Sequence, residues 1–133
     1  MAQDRFSLAG KNAVVTGGAQ GIGKVVAHAL AEQGANIALI DLNDASALAA
    51  EIAAAHGVRA TALTCNVTDP AQVADAIAGA AAELGPLDLL FNNAGIGGGG
   101  SFVADGRDEW ETTFNVCWGG VYLGCRVFMP MLL

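Results

Sequence analysis

Thr16-Gly-Gly-Ala-Gln-Gly21-Ile-Gly23 is the segment of this 133-residue chain with the clearest capacity for chemistry. Its four glycines allow a tight turn at positive φ, and they let an anion reach the backbone without meeting a Cβ. The β-branched run Asn12-Ala-Val-Val-Thr16 leads into it. Ile22, Val25, Val26, Ala29 and Leu30 follow at helical spacing. A glycine turn that opens a helix aims unpaired N–H groups and a partial positive charge at a phosphate, so even an acidic chain can hold a pyrophosphate there. Asp41 closes the next apolar run, twenty residues beyond Gly21, where a ribose-binding carboxylate belongs. The competing reading of Asp41 is a solvated loop carboxylate or a helix cap. Glycine turns also serve purely structural ends, so the loop gains its meaning from Asp41 and from position.

The elements that position these residues alternate along the chain. After the first strand and helix, with Gly34 as the stop, Asn36-Ile-Ala-Leu-Ile40 reads as a second strand. A second helix follows, capped by Asn43 or Asp44, with Ala45, Leu48, Ala49 and Ile52 on one face and Gly57 at its end. Residues 58–64 read as strand three. Thr68-Asp69-Pro70 starts a third helix with the stripe Val73, Ala76, Ile77, Ala80, Leu84. Residues 87–91 read as strand four, then a loop to about Arg107 and a last helix from about Asp108 to the end. Strands apolar on both faces, separated by amphipathic helices, predict one α/β domain over residues 1–133. Its core is a doubly wound, Rossmann-like parallel sheet with right-handed crossovers.

Composition narrows the function. Apolar residues make up 53% and charged residues 14%, which excludes a disordered chain. Six Lys and Arg against thirteen Asp and Glu give a net charge of −7 and no basic stripe for a nucleic acid. Between Glu111 and Arg126 lie fourteen uncharged residues, short for a membrane span, and Arg126 and Pro130 break the run. Gly120 and Gly124 make a G-x-x-x-G there, and a buried or interface helix is the expected reading. Cys65, Cys117 and Cys125 show neither a paired nor a metal-binding spacing with His28 or His56. They read as reduced, buried thiols of a cytoplasmic protein with no metal site.

The loop spacing is T-G-x-x-x-G-I-G, and this resembles the short-chain dehydrogenase/reductase family. Asn92-Asn-Ala-Gly95 is similar to that family's N-N-A-G, and Asn66-Val-Thr-Asp69 to its D-V-x-D, with Asn66 where Asp is more frequent. Asn115-Val116 with Gly119 resembles its N-V-x-x-G helix segment. The resemblance implies a nicotinamide dinucleotide cofactor. Gly17, Gln20, Gly21, Ile22 and Gly23 would line the pyrophosphate end, Asp41 and Leu42 the adenosine ribose, and Asn66 and Val67 the adenine. Asn93, Ala94 and Gly95 would lie along the cofactor, with Asn93 bracing the strand ends; for Asn92 and Asn93 plain turn chemistry competes. Asp41 accepts hydroxyl bonds from a free ribose and repels a 2′-phosphate, and neither Gln20 nor Leu42 supplies a cation. NAD is therefore expected over NADP.

The resemblance also implies a reaction: hydride transfer between nicotinamide and a small alcohol or carbonyl substrate. The family's set is an Asn in a proton relay, a Ser on the substrate oxygen, a Tyr that moves its proton and a Lys four residues on. Only Asn115 matches. Tyr122 and Arg126 share the i, i+4 spacing, but Arg does not replace Lys, so Tyr122 reads as a packing aromatic. Met129-Pro-Met131 likewise reads as packing. The glycine-rich loop from Gly97 to Gly106 is placed to border a substrate pocket but names no substrate. Strand four has no following strand to pair with, and the last helix is apolar nearly all round and ends without a cap. The expectation is an N-terminal, cofactor-binding half that ends after strand four and its helix and lacks turnover alone. The complete form would be a homo-oligomer through the last helix. Two other readings stay open: a non-catalytic dinucleotide-binding module acting through a partner, and a methyltransferase-type nucleotide fold.

Overall fold

The computed structural model describes residues 5–98, 103 and 106–133. Four parallel strands, β1 (Asn12–Thr16), β2 (Asn36–Asp41), β3 (Ala60–Thr64) and β4 (Leu89–Phe91), form one sheet in the order β3-β2-β1-β4. Helices α1 (Gly21–Glu32), α2 (Ser46–His56) and α3 (Pro70–Leu84) alternate with them. After β4 come α4 (Arg107–Phe114), a π-helical turn (Asn115–Gly119) and α5 (Gly120–Leu132). The register places Thr16 beside Ile40, Asp41 beside Thr64 and Val15 beside Phe91, so the four carboxyl ends lie together.

The pleat of the sheet sorts the core into two layers. Ala13, Val15, Ile37 and Leu39 face α1 and α2, meeting Ala27, Ala31, Ala49 and Ile52. Val14, Ala38 and Ile40 face α3 and α5, meeting Val73, Ile77, Ala80 and Phe128. Both faces are covered, as the strand patterns predict. Phe128 is the largest fully buried side chain, and its burial contributes about 1.5–3 kcal/mol.

Helix stops and starts follow their local chemistry. Asp69 caps α3, its Oδ1 accepting from Ala71 N at 2.9 Å and Gln72 N at 3.2 Å, with Pro70 at the first position. Asp44 holds the approach to α2 by accepting from both the hydroxyl and the N–H of Ser46, which lower its pKa, although Ala45 occupies the cap position.

Several sequence expectations are corrected. The fully buried stripe of α1 is Gly23, Ala27 and Ala31; of the expected stripe Val26 and Leu30 pack beside it, while Ile22 and Val25 are exposed. Small residues win this face because α1 must press close to the sheet; below Gly23 there is no room for a methyl group. β3 begins at Ala60; just before it, Arg59 O still accepts from Ile37 N at 2.9 Å while the Arg59 side chain donates to the last carbonyls of α3, Glu83 O and Leu84 O. β4 begins at Leu89; before it Leu87 is buried, and Asp88 donates its N–H to Asn12 O while its carboxylate accepts from Asn12 N, both at 2.9 Å. The last helix runs to Leu132 with Pro130 inside it, close to the expected bounds, but a π-helical turn at Asn115–Gly119 interrupts its α-helical pattern. His28 and His56 pair with each other at 2.9 Å and tie α1 to α2, with Glu51 3.5 Å from His28. Of the cysteines only Cys65 is buried; Cys117 is exposed and Cys125 half-buried.

The last helix also stays largely uncovered. Trp110, Phe114 and Trp118 stack along it with centroid spacings of 5.2 and 6.4 Å, and they are 46%, 46% and 65% exposed. The sheet can cover only one stripe of it, Gly120, Gly124 and Phe128. Gly120 and Gly124 let that stripe approach Val67 and Asn92, which is what the G-x-x-x-G does here. Among the described residues no helix is long and apolar enough to cross a membrane.

Gly23→Ala should destabilise the chain by about 1–3 kcal/mol, because its Cβ would fall 2.1 Å from Gly17 O, which is backbone and cannot move aside cheaply. Gly119→Ala, in a helical stretch with nothing within 4 Å of its Cβ, should be neutral or stabilise by up to about 1 kcal/mol. Urea unfolding midpoints of the two variants against the parent check this; equal midpoints for Gly23→Ala and the parent would contradict it.

Candidate functional site

The strand order reverses between β1 and β4, and clefts of doubly wound sheets open at such a point, beyond the carboxyl ends. A cleft of about 400 Å³ lies there, lined by the turns after all four strands. The first turn is the tightest. Gly17 takes φ 65°, and a Cβ on it would lie 2.8 Å from Ala94 Cα. Its N–H donates to Ile40 O at 2.7 Å, which draws the turn towards β2.

Asp41 holds that turn from the other side. Its Oδ2 accepts from Ala19 N at 3.0 Å and its Oδ1 from Asn43 N at 2.9 Å. A carboxylate has about four acceptor positions, so the two that remain can take hydroxyl groups. Only 9% of Asp41 is exposed, and the cleft is where it opens.

Thr16 and Asn93 join β1 to the turn after β4. The Thr16 hydroxyl accepts from Asn93 N and Ala94 N, both at 3.0 Å. The Asn93 amide donates to Thr16 O and Gly17 O, both at 3.2 Å. Asn93 thus braces the strand ends. Asn92 is different: its amide reaches Cys125 Sγ at 3.3 Å, and its Oδ1 is buried without a hydrogen-bond partner among the described residues.

At the start of α1, Gln20 has an extended backbone and makes no side-chain cap, and no acidic residue sits in the first turn. The opening N–H groups of the helix therefore meet no side-chain acceptor from its own cap or first turn, and their partial positive charge faces the cleft.

Gly17, Gln20, Gly21, Ile22, Asp41, Leu42, Asn66, Val67, Asn93, Ala94 and Gly95 all line this cleft. Gly23 does not; it lies buried under Gly17 O. Asn115 does not either. It opens the π-helical turn and lines a second cleft of about 470 Å³ with Thr68, Thr112, Gly119, Tyr122 and Leu123. Its neighbour Val116 reaches the first cleft instead. Sequence reasoning missed Asn43, Cys65 and Ile96 as lining residues. Each adjoins a residue that was singled out, and that adjacency was the available signal. Of the loop expected to border a substrate pocket, positions 99–102, 104 and 105 lie outside the described residues. Tyr122 and Arg126 do meet, Nη1 donating to Oη at 3.5 Å, with Tyr122 exposed.

Fold and strand order define a doubly wound α/β protein of the Rossmann-like class. A family model described as short chain dehydrogenase matches residues 11–133, so the chain belongs to the short-chain dehydrogenase family. D-threitol dehydrogenase of Mycolicibacterium smegmatis is 39% identical over 130 residues, covering 96% of this chain and 50% of that protein. The 2,3-dihydro-2,3-dihydroxybenzoate dehydrogenase of Bacillus subtilis is 40% identical over 125 residues, covering 90% and 46%. Among solved structures, the NADPH-dependent 3-quinuclidinone reductase from Rhodotorula rubra superposes with a TM-score of 0.92 at 30% identity, covering 98% of this chain and 50% of that one. The chain spans about half the length of the curated relatives it matches.

Burial, and then the nearby Asp69 carboxylate, push the Cys65 thiol up from its ordinary pKa, whereas Cys117 is exposed, its Sγ 3.5 Å from Ile96 O. The thiolate is the nucleophile, so iodoacetamide at neutral pH should label Cys117 about tenfold or more faster than Cys65. Peptide mass mapping reads the order, and faster labelling of Cys65 would contradict the site as described.

Proposed function

We propose that this chain forms the dinucleotide-binding part of an NAD-dependent oxidoreductase acting on a small alcohol or carbonyl substrate. The observation that carries the reading is the uncapped start of α1 opening into the same cleft as the Asp41 carboxylate. The residues fit the cofactor chemically. The α1 N–H groups would take the pyrophosphate, with Gly17 and Gly21 leaving the backbone open to it. Asp41 would accept the adenosine ribose hydroxyls on its two spare acceptor positions. Ala94, Gly95 and Ile96 would border the cofactor beyond β4, with Asn93 keeping that turn in register. The bound nicotinamide supplies the hydride-carrying carbon.

Asn115 is the one residue of the family's relay present, at the break between α4 and α5. Within residues 1–133 the relay's Ser and Tyr-x-x-x-Lys have no counterpart, so the chain by itself should bind cofactor without reducing it. Names among the relatives, D-threitol dehydrogenase and 5-keto-D-gluconate 5-reductase of Escherichia coli, support a hydroxylated or keto substrate of small size. The uncovered Trp110–Phe114–Trp118 face supports a homo-oligomer formed through the last helix, since an exposed apolar patch of this kind marks an interface. The small acidic domain and its free thiols support a cytoplasmic setting.

Cofactor choice turns on the last residue of β2 and the two that follow it. Asp41, Leu42 and Asn43 provide a carboxylate and no cation, so a 2′-phosphate would meet like charge. Titration calorimetry of the 133-residue chain should give NAD a Kd about tenfold or more below that of NADP. Tighter binding of NADP would overturn the assignment of Asp41.

A further inference from the structure

His28 on α1 and His56 at the end of α2 bring two ring nitrogens together away from the cleft. His28 Nδ1 lies 2.9 Å from His56 Nε2, and the rings meet edge to face at 68° with centroids 5.2 Å apart. The other His28 nitrogen, Nε2, lies 3.5 Å from Glu51 Oε1. Both residues are half-buried, so the helix packing holds each ring while one side stays open to water. The histidines are 28 positions apart in the chain, so no spacing pattern marks the pair.

The carboxylate sets the tautomer. Ionised Glu51 can only accept, so a neutral His28 ring carries its hydrogen on Nε2 and turns the Nδ1 lone pair to His56. His56 Nε2–H can fill that space as a hydrogen bond. With the His56 hydrogen on Nδ1 instead, two lone pairs meet there. A carboxylate behind the ring is also the usual outer partner of a metal-binding histidine, because it fixes tautomer and orientation. The spacing selects the ion. With metal–nitrogen bonds of about 2.0–2.1 Å, two nitrogens stand about 2.9 Å apart at a right angle and about 3.3 Å apart at the tetrahedral angle. A right angle belongs to tetragonal ions such as nickel(II) and copper(II). Among the described residues no group of three His, Cys, Asp or Glu could hold an ion, so water would fill the remaining positions.

We propose that His28 and His56 form a two-nitrogen site for a tetragonal divalent transition-metal ion, with Glu51 orienting His28, and that the ion clamps α1 to α2. The ion takes the place of the shared hydrogen, which moves to His56 Nδ1, so neutral rings bind it without net proton release. The site is independent of the dinucleotide reading, since neither histidine lines the cleft.

Nickel(II) chloride added to the full chain at pH 8 tests it, by calorimetry and by amide proton–nitrogen spectra. The chain should bind one ion, with signal changes centred on His28 and His56, and its unfolding temperature should rise. His28→Asn and His56→Gln should each weaken binding about tenfold or more, and Glu51→Ala should weaken it less. Magnesium chloride, whose ion takes oxygen ligands, should leave the histidine signals unchanged. If a histidine variant fails to fold, the position of the signal changes in the parent decides. Changes centred on Cys117, equal nickel affinity in the parent and both histidine variants, or no binding by the folded parent overturns the site. The same changes with magnesium would mark plain attraction to a chain of net charge −7 and overturn it as well.

Discussion

Where the first turn passes between the ends of β2 and β4 there is no space for a side chain, and the rest of the site follows from that crowding. Gly17 lies against Ala94, and Gly23 lies under Gly17 O. The turn can occupy this slot only at positive φ and only as glycine. Polar contacts then fix it from both sides. Asp41 takes Ala19 N from the β2 side, and Thr16 and Asn93 exchange bonds on the β4 side. The carboxylate proposed to take a ribose is thus already part of what shapes the turn proposed to take the pyrophosphate. Two acceptor positions serve the fold and two remain for a ligand. Position and chemistry are set by one group, which is why Asp41 sits almost buried and yet at the cleft.

Much of this was legible in the chain itself. Alternation of strand runs and helical stripes gave the element order, and α3 was readable to its cap because Asp69-Pro70 and the stripe to Leu84 act within a few residues of each other. The cleft residues were legible because they follow strands directly. Other features depend on partners distant in sequence. Of the apolar spacing in α1, Val26 and Leu30 do pack on the core, yet the face against the sheet is Gly23, Ala27 and Ala31, because the width of the slot beneath the helix is a tertiary property. At the starts of β3 and β4, the side chains of Arg59 and Asp88 satisfy Leu84 O and Asn12 N, across 25 and 76 positions. The π-helical turn at Asn115 has no composition signal, so the shift of Asn115 into a second cleft could not be read.

The residues proposed for the cofactor and for the relay fall in two clefts. All those proposed for the cofactor except Gly23 line one, while Asn115 opens on the other with Thr68 and Tyr122. The Thr68 turn stands between them, since its N–H and hydroxyl hold Asn66 on the first cleft while it lines the second. α5 is drawn against both turns by Gly120 at Val67 and Gly124 at Asn92. The opposite side of the last helix, with its stacked aromatics, meets nothing among the described residues to cover it.

The central claim is that the start of α1 and Asp41 together receive a nicotinamide dinucleotide. Amide proton–nitrogen spectra of the chain with and without NAD test it residue by residue. The account predicts shifts concentrated at Gly17, Ala19, Gly21, Ile22, Asp41 and Asn93, with Thr112, Asn115 and Tyr122 little changed. Shifts centred on Thr112, Asn115 and Tyr122, or no shifts in a folded sample, would contradict it.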